Sequence, residues 1–245
     1  MPKLLLSVRN AQEARLALEA GVDLVDVKEP SQGPLGAASP ETIREILQLV
    51  NRRALTSVAY GELLQWECDG GMDQYADPAA REVSPSPGYV KLGLSGCRSI
   101  ANWQEKWKRL LDILAVAASP VAVVYADWDR ADSPPPAEVV EQARKLKRAT
   151  VLIDTFDKRG PGLLRLCSIR SVQSFIDDVH AADMAVAVAG QLTLDDALAI
   201  APLTPDYLGV RGAVCRPDRN GQIDLQALAA WRCAIAGTGQ KATTS

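Results

Sequence analysis

Residues 3–28 begin with Lys3-Leu4-Leu5-Leu6-Ser7, continue through a helical pattern over 11–20, and end with Leu24-Val25-Asp26-Val27-Lys28. Asn10 is a suitable cap for the start of the helix, and Gly21 is a residue that commonly follows a helix end. The short apolar runs on both sides are typical of buried strands. These residues therefore predict one strand–helix–strand unit of an α/β protein.

The same alternation continues along the 245-residue chain. Strands are predicted at about 3–7, 24–28, 54–59, 89–92, 121–126, 150–154, 184–189 and 207–210, and helices at about 11–20, from 40, between 71 and 84, at 99–118, from 136, at 162–181, from 193 and at 225–236. Eight units at a spacing of about 25–35 residues favour a single (β/α)8 TIM barrel. The alternative is an open parallel sheet, but no Gly-x-Gly-x-x-Gly follows the first strand. We assign 1–236 to one catalytic barrel domain and expect a disordered tail at 237–245.

Composition excludes several classes of protein. The formal net charge is −3 and there is no basic stripe, so nucleic acid and anionic membranes are not expected partners. The start of the chain shows no basic-then-apolar signal, and no apolar run approaches the length of a membrane span, so we expect a cytoplasmic protein. The five scattered cysteines contain no Cys-x-x-Cys pair and predict reduced thiols without zinc. The one histidine, His180, lies on a predicted helix, so acid–base chemistry is expected from Lys, Asp, Glu or Tyr.

Lys28 is the most informative residue of the second strand. Asp26 and Lys28 are two positions apart, so their side chains point to the same face of the strand. Burying opposite charges on one face of an apolar strand costs free energy unless the charges form an ion pair or take part in the protein's function. Desolvation lowers the pKa of a lysine, which makes Lys28 a candidate Schiff-base nucleophile. The alternative is a strand-end lysine whose amine reaches solvent.

The active site of a TIM barrel lies at the carboxyl ends of the strands. Lysines follow or end strands 2, 4 and 6 at Lys28, Lys91 and Lys158, and Asp154 ends strand 6. Because ammonium groups repel one another, one of three converging lysines loses its proton more easily and can attack a carbonyl. The others can bind phosphate or donate protons.

Glycines at the ends of strands 7 and 8 predict a phosphate site. Gly190, Gly209 and Gly212 lie where barrels commonly bind phosphate, and Arg211 could supply a charged fork. The alternative is that these glycines make tight turns. Similarly, the loop with Gly33, Pro34 and Gly36 could cover a ligand or be an ordinary surface turn.

Other patterns indicate structural roles. Trp103 and Trp107 are at helical spacing and indicate barrel packing or a subunit contact, not a cofactor site. Asp195 and Asp196 follow Thr193 at a predicted helix start, where they suit the helix dipole. The basic run 144–148 is interpreted as a solvated helix end.

Six segments together resemble the (5-formylfuran-3-yl)methyl phosphate synthases of methanofuran biosynthesis. The resemblance covers nearly the whole chain. The segments are Leu4-Leu5-Leu6-Ser7-Val8, Asp26-Val27-Lys28-Glu29-Pro30 with Gly33-Pro34-Leu35-Gly36-Ala37, Val90-Lys91-Leu92-Gly93-Leu94, Leu152-Ile153-Asp154-Thr155-Phe156-Asp157-Lys158, Ala189-Gly190-Gln191-Leu192 and Gly209-Val210-Arg211-Gly212-Ala213.

The resemblance implies an aldolase-like TIM-barrel lyase that needs no cofactor. It implies condensation of two glyceraldehyde 3-phosphate molecules to a phosphorylated furan aldehyde, with loss of phosphate and water. Lys28 matches the family's Schiff-base lysine and Asp26 its neighbouring carboxylate, while Lys91, Lys158 and Asp154 match further active-site residues. We also expect a homo-oligomer.

Two other functions stay open at this point. The first is another imine-forming aldolase, or an isomerase of phosphosugars, on the same barrel. The second is a barrel that binds a phosphorylated metabolite without turning it over. An imine-forming lysine beside a carboxylate argues against the second function, because a binding protein does not need one.

Overall fold

The computed structural model describes residues 1–67, 85–114, 117–146 and 149–237. The predicted helix between 71 and 84 lies outside the described residues, and so do residues 238–245 of the predicted tail. None of the described helices is long and apolar enough to cross a membrane.

Eight parallel strands form a closed barrel in chain order, with β1 paired to β8. The strands are β1 (Lys3–Val8), β2 (Leu24–Val27), β3 (Leu55–Glu62), β4 (Tyr89–Gly93), β5 (Ser119–Tyr125), β6 (Thr150–Asp154), β7 (Ala185–Val188) and β8 (Tyr207–Val210). The predicted TIM barrel is therefore confirmed, and the open sheet is excluded because the barrel has no edge strand.

The described helices surround this barrel. They are α1 (Ala11–Glu19), α2 (Pro40–Val50), α3 (Trp103–Leu114), α4 (Pro136–Arg144), α5 (Leu163–Leu166), α6 (Ile169–His180), α7 (Leu194–Ile200) and α8 (Leu225–Gly237). Side-chain caps begin several of them: Asn10 accepts from the N–H of Glu13, and Ser39 accepts from the N–H of Thr42.

Three elements differ from the sequence prediction. The helix predicted at 99–118 begins at Trp103, because the preceding residues form turns in which the N–H of Ile100 donates to the Cys97 carbonyl and the N–H of Trp103 donates to the Ile100 carbonyl. The helix predicted at 162–181 is two helices, because Ser168 caps a new start. Strand β3 runs on to Glu62, three residues beyond the predicted end.

The alternation of side chains along each strand builds two cores. On β2, for example, Val25 and Val27 belong to the larger core between barrel and helices. Leu24 belongs to the smaller core inside the barrel, with Leu5, Val121, Leu152 and Tyr207. Because Asp26 follows Leu24 at the same parity, it too points into the barrel.

The connection between β8 and α8 contains a small hairpin that sequence reasoning did not find. Strands β9 (Cys215–Arg216) and β10 (Gln222–Ile223) pair antiparallel. Gly221 is required in their turn, since an added Cβ would lie 1.9 Å from the carbonyl oxygen of Arg216. The hairpin brings Asp218 and Arg219 to the carboxyl end of the barrel.

Candidate active site

A cavity of about 360 Å³ opens at the carboxyl ends of the strands. This volume lies in the range of small-molecule sites. The cavity brings together all five residues predicted to be catalytic: Asp26, Lys28, Lys91, Asp154 and Lys158.

Asp26 and Lys91 form a buried ion pair at the floor of the cavity. The Nζ of Lys91 lies 2.5 Å from Oδ1 of Asp26. The hydroxyl groups of Ser7 and Ser57 also donate to Asp26, at 2.9 and 2.6 Å. Burial raises the pKa of Asp26, but the charges of Lys91 and Lys28 and these hydrogen bonds outweigh it and hold the pKa below its usual value. Asp26 is therefore a carboxylate near neutral pH.

Asp154 and Lys158 form a second pair on the opposite side of the barrel. The Nζ of Lys158 donates to Oδ1 of Asp154 at 2.6 Å, and the N–H of Thr155 donates to the same oxygen at 2.8 Å. Burial raises the pKa of Asp154, but Lys158 and Lys28 lower it further, so the group stays ionised. Within the described residues, Oδ2 of Asp154 accepts no hydrogen bond.

Lys28 lies between the two pairs and differs from both of the other lysines. It is 8% exposed, and its amine makes no direct ion pair with any carboxylate in the described ranges. Burial lowers the pKa of Lys28 to about 7; the carboxylates of Asp154 and Asp26 oppose this shift, and the neighbouring lysines add to it. A substantial share of the Lys28 side chains are thus neutral amines near pH 7, and the neutral amine is the form that attacks a carbonyl.

The glycines predicted to bind phosphate line the same cavity at the ends of β7 and β8. Gly190 has φ +107°, a conformation that favours glycine, and an added Cβ would lie 3.1 Å from Thr155 Cγ2. Gly209 packs against Ala189, and Gly212 begins a short 3-10 turn. Their phosphate role stays a prediction that this position in the barrel supports.

Arg211 lines the cavity, but most of its donors are used within the protein. It forms a bidentate pair with Glu13, at 2.7 and 3.2 Å, and donates to the carbonyl groups of Ser7 and Arg219. Four of the five guanidinium N–H groups are therefore satisfied internally. The contacts give Arg211 a role in positioning the β8–α8 connection, and direct phosphate binding by Arg211 stays a prediction.

Sequence reasoning missed Asp218 and Arg219, which line the cavity, and Glu62, which lies outside its lining and interacts electrostatically with Lys158. Arg219 lines the cavity from the β9–β10 hairpin. Glu62, at the end of β3, accepts hydrogen bonds from the Tyr125 hydroxyl at 2.6 Å and the Ser95 N–H at 2.9 Å. Burial raises the pKa of Glu62 despite those bonds. One sequence signal was available for Glu62: Gly93 leaves room for its carboxyl group, which a Cβ at that position would overlap.

The loop after β2 is folded onto the site. Leu35 is buried and lines the cavity, and the Leu35 carbonyl accepts from the N–H of Gly61 at 2.9 Å. Gly36 is needed there, because an added Cβ would lie 2.2 Å from the Glu29 carbonyl oxygen. The loop is thus packed against the barrel mouth, and its role in covering a ligand stays a prediction.

The remaining patterns have structural positions. Trp103 and Trp107 are buried in the core between barrel and helices, and Thr193 and Asp196 form a capping box at the start of α7. His180 lies at the end of α6 and contacts Asp206, which precedes β8 and so belongs to the opposite end of the barrel. Four cysteines are free thiols, Cys97, Cys167, Cys215 and Cys233, and Cys68 lies outside the described residues. In the described ranges, no group of three or more His, Cys, Asp or Glu side chains could hold a metal ion.

Comparisons with known proteins match nearly the whole chain. A family model described as 4-HFC-P synthase matches residues 4–232. A putative (5-formylfuran-3-yl)methyl phosphate synthase from Methylorubrum extorquens is 34% identical over 227 residues, which cover 91% of this chain and 87% of that protein. The (5-formylfuran-3-yl)methyl phosphate synthase from Methanopyrus kandleri is 34% identical over 223 residues, with 89% and 92% covered.

Among solved structures, phosphoribosyl anthranilate isomerase from Thermotoga maritima superposes with a TM-score of 0.63 at 14% identity, covering 97% of this chain and all of the other. At this identity the likeness concerns the barrel fold alone.

Proposed function

The chain belongs to the 4-HFC-P synthase family, and from this premise we propose that it condenses two molecules of glyceraldehyde 3-phosphate into (5-formylfuran-3-yl)methyl phosphate. The reaction proceeds through a Schiff base on Lys28 and releases phosphate and water. One observation carries the proposal: a buried lysine with a pKa of about 7 lies, without a direct ion pair among the described residues, in a cavity beside two ionised carboxylates.

The neutral amine of Lys28 adds to the carbonyl carbon of one triose phosphate, and loss of water leaves an iminium. The iminium draws electrons from the adjacent C–H bond, so a nearby base can remove that proton and produce an enamine. The enamine expels the phosphate group from C3 of this triose, which leaves an enol conjugated to the iminium. Carbon C3 of the enol attacks the carbonyl carbon of the second triose, which has isomerised from the aldose to the ketose. The terminal hydroxyl group of the second triose closes the ring, loss of two water molecules gives the furan, and hydrolysis of the imine releases the aldehyde and returns Lys28.

Asp154 is the better placed of the two carboxylates to move protons. Both oxygens of Asp26 accept hydrogen bonds from Ser7, Ser57 or Lys91. Asp154 has Oδ2 without a hydrogen bond in the described part of the chain, and its charge acts directly on the Lys28 amine. We therefore assign proton transfer to Asp154 and stabilisation of the iminium charge to Asp26.

Lys158 and Lys91 have different tasks in this scheme. Lys158 hydrogen-bonds Asp154, and burial lowers the pKa of Lys158 despite that carboxylate, so Lys158 can donate a proton to a leaving oxygen. Lys91 is fixed by Asp26 at the floor of the cavity and keeps that carboxylate ionised. The loops at Gly190, Gly209 and Gly212 bind one substrate phosphate, and Arg211 positions the last of them.

The test is chemical trapping. The protein is incubated with glyceraldehyde 3-phosphate and borohydride, and the adduct is located by peptide mass mapping. We expect one adduct on Lys28 and none in the Lys28→Met variant, while Lys108→Met, a change at an exposed helix position, keeps it. A folded protein that carries no adduct on Lys28 contradicts the Schiff-base proposal.

The absorbance of the product separates the proposal from its nearest alternative. A furan aldehyde absorbs in the near ultraviolet, whereas a simple aldol or a ketose phosphate does not. Trapping at Lys28 without a furan chromophore would assign the site to another imine-forming aldolase or isomerase.

A further inference from the structure

A second cavity, which we call the arginine groove, adjoins the active site. It has a volume of about 340 Å³, and its charged lining residues are Arg130, Asp157, Lys158, Arg159 and Arg219. Lys158 and Arg219 line the active-site cavity as well. The two cavities are therefore neighbours with two cationic side chains at their common border.

The charges of the arginine groove do not cancel. Arg130 pairs with Asp157 at 2.6 Å, and Lys158 pairs with Asp154. Asp157 also accepts from the N–H of Arg159 at 2.9 Å, so each of its two oxygens already accepts a hydrogen bond. Arg159 and Arg219 form no ion pair with any described carboxylate. Two guanidinium groups that have no direct ion pair among the described residues thus face one cavity, an arrangement suited to an anion.

Arg219 is held in place through its backbone and leaves its side chain to the cavities. The Arg219 carbonyl accepts from Nε of Arg211 at 2.6 Å, and the next residue, Asn220, accepts from Arg9 at 2.8 Å. The Arg219 guanidinium makes one long contact of 3.5 Å with the Gly33 carbonyl. A partly desolvated guanidinium on a fixed backbone binds a phosphate with less loss of conformational entropy than one on a mobile loop.

We propose that the arginine groove binds the phosphate group of the second triose phosphate, with Arg219 and Arg159 as its ligands. This inference rests on the proposed function, because condensation of two triose phosphates places two phosphate groups in one site. The first phosphate lies at the glycine loops of β7 and β8. Lys158, at the border of the two cavities, then faces the carbon chain between the two phosphate groups.

The experiment uses glycerol 3-phosphate, a phosphate monoester that has no carbonyl group and cannot react with Lys28. Titration calorimetry of the native protein is expected to show two molecules bound per chain. The Arg159→Gln/Arg219→Gln variant is expected to bind one. The Arg211 hydrogen bond to residue 219 uses a backbone oxygen, so this variant keeps it. The matched control Arg170→Gln, an exposed position at the start of α6, is expected to bind two.

The single variant Arg159→Gln tests the same inference with a smaller risk of a folding defect. Arg159 is exposed, and its change to Gln alone is expected to weaken the second binding event by about 10-fold or more while the first is unchanged. The inference would be overturned if the native protein bound only one molecule, or if the double variant bound two molecules with unchanged affinity. Because glycerol 3-phosphate does not react, these results are independent of whether trapping at Lys28 succeeds. If two molecules of glycerol 3-phosphate bind but no adduct forms on Lys28, the inference about the arginine groove stands and the proposed Schiff-base chemistry is refuted.

Discussion

The two halves of the barrel interior are built from the same strands and have opposite character. At the amino end, Leu24 on β2 packs with Leu5, Val121 and Tyr207 in an apolar core. At the carboxyl end the interior holds five buried or partly buried charges: Asp26, Lys28, Lys91, Asp154 and Lys158. On β2 the change takes place within one step of the side-chain repeat, from Leu24 to Asp26.

The apolar layer at the amino end of the barrel lowers the solvation of the charged layer at the carboxyl end. The packed lower half keeps water from approaching the charged layer from below, so ionised groups above it are poorly solvated. Lys91 and Lys158 have a carboxylate in contact, but Lys28 does not, and the pKa of Lys28 falls to about 7. The apolar half therefore helps to keep part of the Lys28 side chains in the neutral form.

The largest expected effect on stability comes from breaking the buried pair of the charged half. Asp26→Asn removes the carboxylate beside Lys91 and is expected to lower the free energy of unfolding by about 3–5 kcal/mol, because a buried cation loses its partner. Urea unfolding measures the change. As a control, the double variant Asp26→Asn/Lys91→Met should recover part of the loss. A loss below about 1 kcal/mol would show that the pair is well solvated.

Truncation in the apolar half is expected to cost somewhat less. Leu24 is 3% exposed, and Leu24→Ala should lower the free energy of unfolding by about 2–4 kcal/mol through lost burial and a residual cavity. Borohydride trapping at Lys28 should persist in the folded variant, since no charged group has changed. If trapping at Lys28 is lost although the variant keeps native stability, packing in the apolar half directly controls the reactivity of Lys28.

A smaller effect, graded with pH, comes from the pKa of Lys28. Below pH 7 the amine is protonated, so the rate of adduct formation should fall about tenfold for each pH unit at constant substrate. A stopped assay between pH 5 and pH 9 measures this. A rate that keeps rising through pH 9 would place the pKa of Lys28 near its ordinary value.

Unfolding supplies an independent check of the same pKa. The pKa of Lys28 is about 7 in the folded state and 10.5 for an ordinary lysine, so between these values the unfolded chain binds more protons. The native protein should therefore gain stability relative to Lys28→Met as pH rises from 7 to 10.5, at up to about 1.4 kcal/mol per pH unit. No change of this difference with pH would contradict the lowered pKa.

The smallest effect is expected at the amino end of the barrel. The hydroxyl groups of Tyr89 and Tyr207 are 3.4 Å apart, and Tyr207→Phe removes this weak hydrogen bond but keeps the ring. The free energy of unfolding should fall by less than about 1 kcal/mol, with unchanged trapping at Lys28. Thermal unfolding of the variant beside the native protein measures it. A loss above about 2 kcal/mol would show that the amino end depends on polar contacts as well as on packing.

Strand ends were predictable from sequence because β-strands and helices leave periodic patterns. Lys28, Lys91 and Lys158 were each found by their position after an apolar run. Glu62 was not, because strand β3 continues past its apolar part and carries this residue to Tyr125 of β5. Arg219 was missed for another reason: it belongs to a hairpin inside a connection, and such a hairpin has no strand-length pattern.

The sequence by itself determined the eightfold alternation, the closed barrel, and the set of charged residues at its carboxyl end. Local periodicity and the geometry of parallel strands are sufficient for those conclusions. The tertiary structure alone decided which charges touch. Asp26 pairs with Lys91 rather than with Lys28, two residues away, because side-chain contacts inside a barrel run between strands. That choice leaves the Lys28 amine without a carboxylate in contact among the described residues, and it gives Arg219 a place at the barrel mouth that no local pattern indicates.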